Sequence, residues 1–487
     1  MLNTRITPFT TARIEAHEGG ALGRRHVAGK AAKAPEARPV GESLGVRHIG
    51  KIMPRRKQER LEHRQGRPGL LAFRRRIERR QNPVRKRPKD CVEAVTRCMF
   101  RLQQGNSPES WQDQVVIGER MTFRIPVYQP DLSGNERAYV NECLDSTWIS
   151  SKGKFVTAFE EAFAGYIGVD FATAVCNGTT ALHLALLALG VGPGDEVIVP
   201  ALTYIASANA VTYTGALAVF VDSLREDWQM DPADVIKKVT PRTRAIMVVH
   251  LYGHPCNMDE ILGIAKKYGL FVIEDAAEAV GSRFNGHHVG GFGDIAVFSF
   301  YGNKTITTGE GGMVVTRDPT LYDRAKHLKG QGLAEHRQYW HDVVGYNYRM
   351  TNICAAIGLA QIERCDQILQ CKRRLAQLYA KKLEGVPLEI HRESPNVVHS
   401  YWMISILVSS LQDRDPLREA LAEAGIETRP VFFPVHTMPM YSNRFQRHPV
   451  AEDIGWRGIN LPSWPGLSEQ NVDEVCGVIK HFYKCVY

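Results

Sequence analysis

Six short apolar runs recur between residues 195 and 316: DEVIVP (195–200), LAVFVD (217–222), RAIMVVHLYG (244–253), LFVIED (270–275), DIAVFSF (294–300) and GGMVVT (311–316). Their brevity and their wealth of β-branched and aromatic residues are what a strand buried on both faces requires. The stretches TTALHLALLALG (179–190) and DEILGIAKKYG (259–269) instead have helical spacing and end on glycine. Strands alternating with helices predict an α/β domain on a mostly parallel sheet. After about residue 360 the texture changes. RCDQILQCKRRLAQLYAKKLEG (364–385) reads as a long amphipathic helix and SYWMISILV (400–408) as a strand. DPLREALAEAGIETRP (415–430) reads as a helix capped by Asp415 and stopped by Gly425. A large domain over 121–362 and a smaller α+β domain over 363–487 are expected.

The first 120 residues are of another kind. They hold 27 Lys and Arg against 12 Asp and Glu, whereas the remainder holds 34 against 40, so the net charge of +9 belongs to one end of the chain. MPRRKQERLEHRQGRPGLLAFRRRIERRQNPVRKRPKD (53–90) has few apolar residues and no sustained period. Such a segment buries too little surface to offset the entropy of ordering it. The reading is a disordered extension, or upstream sequence translated from a start placed too early; Met121 is where the body begins. Arginine clusters alone also fit a nucleic-acid-binding regulator, but no aromatic interleaving accompanies them. There is no long uninterrupted apolar stretch, so no membrane span is expected. The ten cysteines have no CxxC spacing, which fits reduced thiols in the cytoplasm.

Ligands of open α/β sheets collect beyond the carboxyl ends of the strands, and several chemically compatible residues fall there. NGTT (177–180) opens the first strong helix. Its free amides suit a phosphate, with Thr179 and Thr180 open to the alternative reading of simple caps. Asp275 closes LFVIED and needs a cationic partner if it lies deep. Tyr204 follows EVIVPALT (196–203) and offers a ring for stacking. Ser299 and Lys304 follow DIAVF. A lysine held away from water loses part of its preference for charge and becomes a usable nucleophile. Phosphate cradle, buried aspartate, stacking aromatic and amine together describe a site for pyridoxal 5′-phosphate. Two look-alikes fail on context. GNKT lacks the glycine a Walker A loop has before its lysine, and GFGDIA (291–296) precedes a strand instead of following one. His183 and His250 have no second ligand at helical spacing, and no metal site is expected.

NGTTALHLAL, PGDEVIVPALTYIASANAV, VIEDAAEAVGS, FSFYGNKTITTGEGGMVVT and VGYNYRMTNICAAIGLAQ, in this order, resemble the DegT/DnrJ/EryC1/StrS sugar aminotransferases over residues 121–487. The resemblance implies the fold-type-I, aspartate-aminotransferase-like architecture. It implies that Lys304 carries pyridoxal 5′-phosphate covalently and that Asp275 faces the pyridine nitrogen. It further implies that Tyr204 stacks on the ring, and that Gly178, Thr179, Thr180 and Ser299 hold the phosphate. Asn347 matches an asparagine reaching the phosphate from a neighbouring subunit, which implies a homodimer with shared active sites. Glu278 departs from many relatives, which carry His or Gln there; its contact is with the cofactor hydroxyl or the substrate. Trp148, Ser150, Tyr301, Tyr339 and His436 are candidate substrate contacts. The implied reaction moves an amino group from L-glutamate to a nucleotide-linked keto sugar for surface polysaccharide such as O-antigen. STWISSKG, FYGNKTITTGEGGM and ETRPVFFPVH point within the family to GDP-4-keto-6-deoxy-D-mannose, with dTDP- or UDP-linked keto sugars as alternatives. Related dehydratases place histidine where Lys304 stands, which argues against that chemistry.

Overall fold

The computed structural model describes residues 123–442 and 446–486. The expectations placed on residues 1–120, and on Met121 as a start, lie outside the described residues. Seven strands form the main sheet: β1 (Phe171–Val175), β2 (Glu196–Pro200), β3 (Leu217–Val221), β4 (Thr243–Val249), β5 (Phe271–Asp275), β6 (Ile295–Ser299) and β7 (Gly312–Thr316). Their order is β1-β7-β6-β5-β4-β2-β3. The pairs β3/β2, β2/β4, β4/β5 and β5/β6 are parallel, and β7 runs antiparallel to both of its neighbours. Strands β2, β6 and β7 are buried along their whole length. That matches their unbroken apolar sequence and the helices on both faces. All six runs form strands, and β1, written FATAV, adds a seventh at the edge.

The one reversed strand has a local consequence. Parallel neighbours need a long crossover, but antiparallel ones can be joined by a short return. The chain therefore comes back from β6 to β7 in a single loop, 300–311, and that loop carries Lys304. It is stapled by Phe300 N–H to the Gly311 carbonyl (2.9 Å) and Thr308 N–H to the Phe300 carbonyl (2.9 Å).

Helix α1 (Glu136–Asp145) and helix α2 (Lys154–Ile167) come before β1, and helix α3 (Gly178–Ala188) follows it. In α3, Asn177 accepts from Thr180 N–H at 2.9 Å while the Thr180 hydroxyl accepts from Asn177 N–H at 3.3 Å. This reciprocal capping box fixes where the helix starts. The expected 259–269 helix spans Met258–Tyr268, with Asn257 as its cap and Gly269 at φ +67° as its stop. Beyond β7, helix Asn352–Ile362 packs against α1 and α2.

A second, antiparallel sheet consists of Leu388–Ile390, Ile404–Val408, Gly458–Leu461 and Arg429–Pro430, in that spatial order. Helices Cys365–Lys382, Leu411–Glu423 and Glu469–Val486 share a core with it. The second of these differs from the sequence reading. It begins at Leu411, Ser410 is its cap, and Asp415 lies within it, paired with Arg414 (2.9 Å). Pro416, which follows Asp415, lies inside this helix, past its first turn, and lacks the N–H that would make an i→i−4 bond there. The strand within 400–408 is confined to Ile404–Val408. Ile125 belongs to this C-terminal core and bridges to Ile426, so the first described residues pack with the last. Helix Cys365–Lys382 serves both regions: Ile368 and Leu369 sit in the core beside α2, Leu375 and Tyr379 in the C-terminal one.

Candidate active site

Strand register brings the candidate residues together. Gly312 of β7 lies opposite Val175 on one side and Ser299 on the other. The start of α3 and the start of the lysine loop are therefore held one strand to either side of it. Asp275, the last residue of β5, pairs in register with Val297 of β6 and Val249 of β4. The ends of β1, β2, β5 and β6 thus converge on one cavity of about 730 Å³, at the place the strand-end rule indicates. Gly178, Thr179, Thr180, Tyr204, Asp275, Glu278, Ser299, Tyr301 and Lys304 all line it.

The cradle at the α3 end depends on two glycines. A Cβ on Gly178 would lie 2.8 Å from the Ser299 Cβ, so only glycine lets the helix start abut that serine. A Cβ on Gly312 would lie 2.6 Å from the Asn177 carbonyl oxygen, which is why β7 can approach the turn so closely. The amides that the cap leaves free at the head of α3, Thr179 and Ser299 consequently face one end of the cavity, whereas Thr180 lines it as a cap, its N–H and hydroxyl both engaged by Asn177. Such a donor set fits a phosphate.

Asp275 is buried. Ser207 donates its hydroxyl to Oδ2 at 2.7 Å and Ala277 its N–H to Oδ1 at 3.2 Å. Burial nonetheless pushes its carboxyl above the usual range, with those two donors and Lys304 opposing. A carboxylate in that condition gains from a cationic N–H placed beside it. Lys304 turns into the cavity from a tight bend, its N–H on the Tyr301 carbonyl at 2.9 Å. Its Nζ stands 3.6 Å from Glu278 Oε1. Burial lowers the pKa of this amine, while Glu278 and Asp275 pull it back up. Glu278 is itself raised to about 7 by burial, and its other oxygen accepts from Tyr252 N–H at 2.7 Å. Tyr204 is 56% exposed at the cavity wall, a large ring left open to a ligand.

Five of the candidates stand elsewhere. Asn347 is exposed, with its side chain turned to Arg349 (2.9 Å). Trp148 and Ser150 lie on an exposed turn whose carbonyls accept from Asn352 (2.7 Å each). Tyr339 is 93% exposed. His436 is buried away from the cavity, against Glu452 (3.2 Å) and His448, because Glu452 also holds the turn before its helix. The cavity also has a wall that sequence reasoning missed: Trp402, Met403, Arg429, Phe432 and Asn460 from the C-terminal region. Ser207, which braces Asp275, was missed as well. Trp402 lies buried near the start of SYWMISILV, and its size was the only signal available. His250 is buried on Glu274 (3.1 Å), and no cluster of metal-ligating side chains occurs among the described residues.

Comparisons with known proteins agree with this geometry. The model of the DegT/DnrJ/EryC1/StrS aminotransferase family matches residues 130–480. GDP-perosamine synthase of Escherichia coli O157:H7 is 63% identical over 359 residues, covering 74% of this chain and 98% of that protein. A crystal structure of Streptomyces venezuelae DesV in complex with a ketimine intermediate superposes with TM-score 0.68 at 36% identity, covering 72% of this chain and 94% of that one. The PLP form of Spr1654 from Streptococcus pneumoniae gives 0.71 at 28% identity, covering 74% and 99%. The fold is the fold-type-I, aspartate-aminotransferase-like one. Within that class the chain belongs to the DegT/DnrJ/EryC1/StrS aminotransferase family, and it is an aminotransferase.

Proposed function

We propose that this enzyme moves an amino group from L-glutamate to the keto carbon of GDP-4-keto-6-deoxy-D-mannose, giving GDP-perosamine for a surface polysaccharide such as O-antigen. One observation carries the chemistry: Lys304 and Asp275 enter one cavity whose far end is the amide cradle of α3. The sugar rests on the 63% identity to a GDP-perosamine synthase over 98% of that protein.

The cavity fits pyridoxal 5′-phosphate, which when bound supplies a carbonyl to join the amine and a ring to draw electrons from the reacting carbon. The chain's own residues do the rest. The free α3 amides, Thr179 and Ser299 would hold the phosphate, Asp275 would keep a proton on the ring nitrogen, and Tyr204 would stack on the ring. Lys304 Nζ takes the proton from the donor's α-carbon and, in the second half-reaction, returns one to the sugar carbon that receives nitrogen. It must be uncharged to take the first proton, a form that burial favours, and charged to return the second, a form that Glu278 and Asp275 favour. Glu278 receives or releases the charge beside it.

The same reading makes the enzyme a homodimer in which Asn347 and the exposed apolar side chains Trp148, Ile149, Tyr339 and Val344 meet a second copy. Large apolar groups left in water at this density mark an association surface. We place the reaction in the cytoplasm, because no disulfide joins the described cysteines. No helix among the described residues is long and apolar enough to cross a membrane.

The test is to supply L-glutamate with GDP-, dTDP- and UDP-linked 4-keto-6-deoxyhexoses and identify products by mass. Amination of the GDP sugar with release of 2-oxoglutarate is expected. Amination of another sugar alone corrects the substrate, and no 2-oxoglutarate from any of them refutes the whole reading. Mixing Lys304→Ala with Asn347→Ala subunits should restore activity that neither has alone if the sites are shared.

A further inference from the structure

Trp402 meets the lysine from the opposite side of the cavity. Lys304 Nζ lies 3.7 Å from the centroid of the Trp402 ring, with Glu278 Oε1 3.6 Å away. The indole is keyed to the lysine loop, since its Nε1–H donates to the Asn303 carbonyl at 2.6 Å. Tyr252 ties both flanks together. Its carbonyl accepts from Trp402 N–H at 3.0 Å, its own N–H holds Glu278 at 2.7 Å, and its ring stacks on Trp402 with centroids 5.9 Å apart at 15°. Two non-glycine residues adopt left-handed backbone for this: Tyr252 at φ +55° and Tyr401, just before Trp402, at φ +50°. Bulky residues rarely sit there unless the surroundings enforce it, and such strain collects at functional sites.

We infer that Trp402 is a positioning residue that holds the Lys304 amine between its ring face and Glu278 whenever that amine is not covalently engaged. This rests on the aminotransferase reading for its purpose but not for its measurement. An indole face attracts a cation more strongly than other aromatic faces do. It therefore favours the ammonium and keeps Nζ in a fixed place, so that the amine released in one half-reaction waits where the next proton must go. The charged groups facing it are Glu278 and Asp275, both of which also favour the ammonium, against burial, which opposes it.

The experiment uses the full chain, stripped of bound carbonyl compounds with hydroxylamine. Lys304 is acylated by acetic anhydride across a pH series and its labelling quantified by peptide mass. Trp402→Leu should lower the midpoint of the labelling profile by about one pH unit, a tenfold change, and Trp402→Phe by about half a unit, because a phenyl face attracts more weakly. Mere loss of shielding would raise the rate at every pH alike and leave the midpoint where it was. An unmoved midpoint in Trp402→Phe and Trp402→Leu overturns the proposal. Should Trp402→Leu fail to fold by circular dichroism, Trp402→Phe decides alone, with Glu278→Gln as the control that must also lower the midpoint. No sugar or glutamate is present, so failure of the aminotransferase assay leaves this result standing.

Discussion

Among the described lysines, Lys304 and Lys372 are both held away from water, and they differ in everything else. Lys304 faces a cavity, with Glu278 at 3.6 Å, Asp275 within electrostatic reach and an indole over its amine. Lys372 lies inside helix Cys365–Lys382, where no carboxylate among the described residues pairs with it. It donates to the Ser463 carbonyl, and its Nζ is 5.2 Å from the Tyr128 ring centroid. Burial alone brings its pKa down to about 7. A perturbed titration would therefore have nominated Lys372 as readily as Lys304. What separates them is access: Lys304 lines a space that a substrate can fill, whereas Lys372 has only backbone and packing around it. Tyr128 joins the two regions, since its hydroxyl donates to the Lys304 carbonyl.

The widest separation is expected from deletion. Lys304→Ala should lower turnover by about 10⁴-fold, the range a positioned general acid–base supplies, with the circular dichroism spectrum unchanged. Residual turnover within tenfold of the parent would break the contrast at once. Lys372→Met should keep turnover within about twofold. It should also stabilise the protein by about 1–2 kcal/mol at pH 7, because a buried charge without a partner is replaced by an apolar chain of similar length. The sign with pH follows from linkage. Lys372 has a folded pKa of about 7 against 10.5 unfolded, so the unfolded state binds more protons between those values and stability rises with pH across that window. Urea midpoints at pH 7 and 9 should show this rise in the parent and less of it in Lys372→Met.

The lysine loop was legible because its signals are local. Apolar runs mark the strands, the glycines at 311 and 312 mark a close approach, and Asp275 sits at a strand end. The α/β organisation followed from the same periodicity. The reversal of β7 was not legible, since a short apolar run carries no direction. Nor was the wall formed by Trp402, Arg429 and Phe432. It comes from the C-terminal region, and its residues meet the lysine only through tertiary packing. Asp415 misled because an acidic residue before Pro416 looks like a helix start, while Ser410, five residues earlier, does the capping. Asn347 and Tyr339 are exposed in the single chain, so any role for them depends on a second copy.

Glu278 offers a finer probe of what sets Lys304 apart. Burial raises its carboxyl to about 7, so it is charged above that pH and neutral below it. If its charge steadies the Lys304 ammonium, turnover should fall as pH drops through about 7. Glu278→Gln, neutral at every pH, should behave throughout like the parent at low pH. The expected loss is about tenfold at pH 8, shrinking toward none below pH 6. A parallel loss at all pH values would instead assign Glu278 to binding.

The smallest effect concerns burial with no lysine involved. His254, His391 and His399 stand within 5.1–5.5 Å of one another, and burial holds all three neutral, His254 at about 4 and His391 at about 3. Their folded pKa values lie below the ordinary 6.5, so the unfolded chain takes up more protons in acid. Their contribution to stability is whole above about pH 6.5 and is lost as pH falls toward 4. His391→Leu removes one of these protons. It also removes the ring stacked on Trp228 at 4.2 Å, so its urea midpoint should be lower than the parent's at pH 7. The slope between pH 6.5 and 4.5 should nevertheless be shallower. An equal slope would mean that His391 already takes its proton in the fold, and the packing of three neutral rings would need another account.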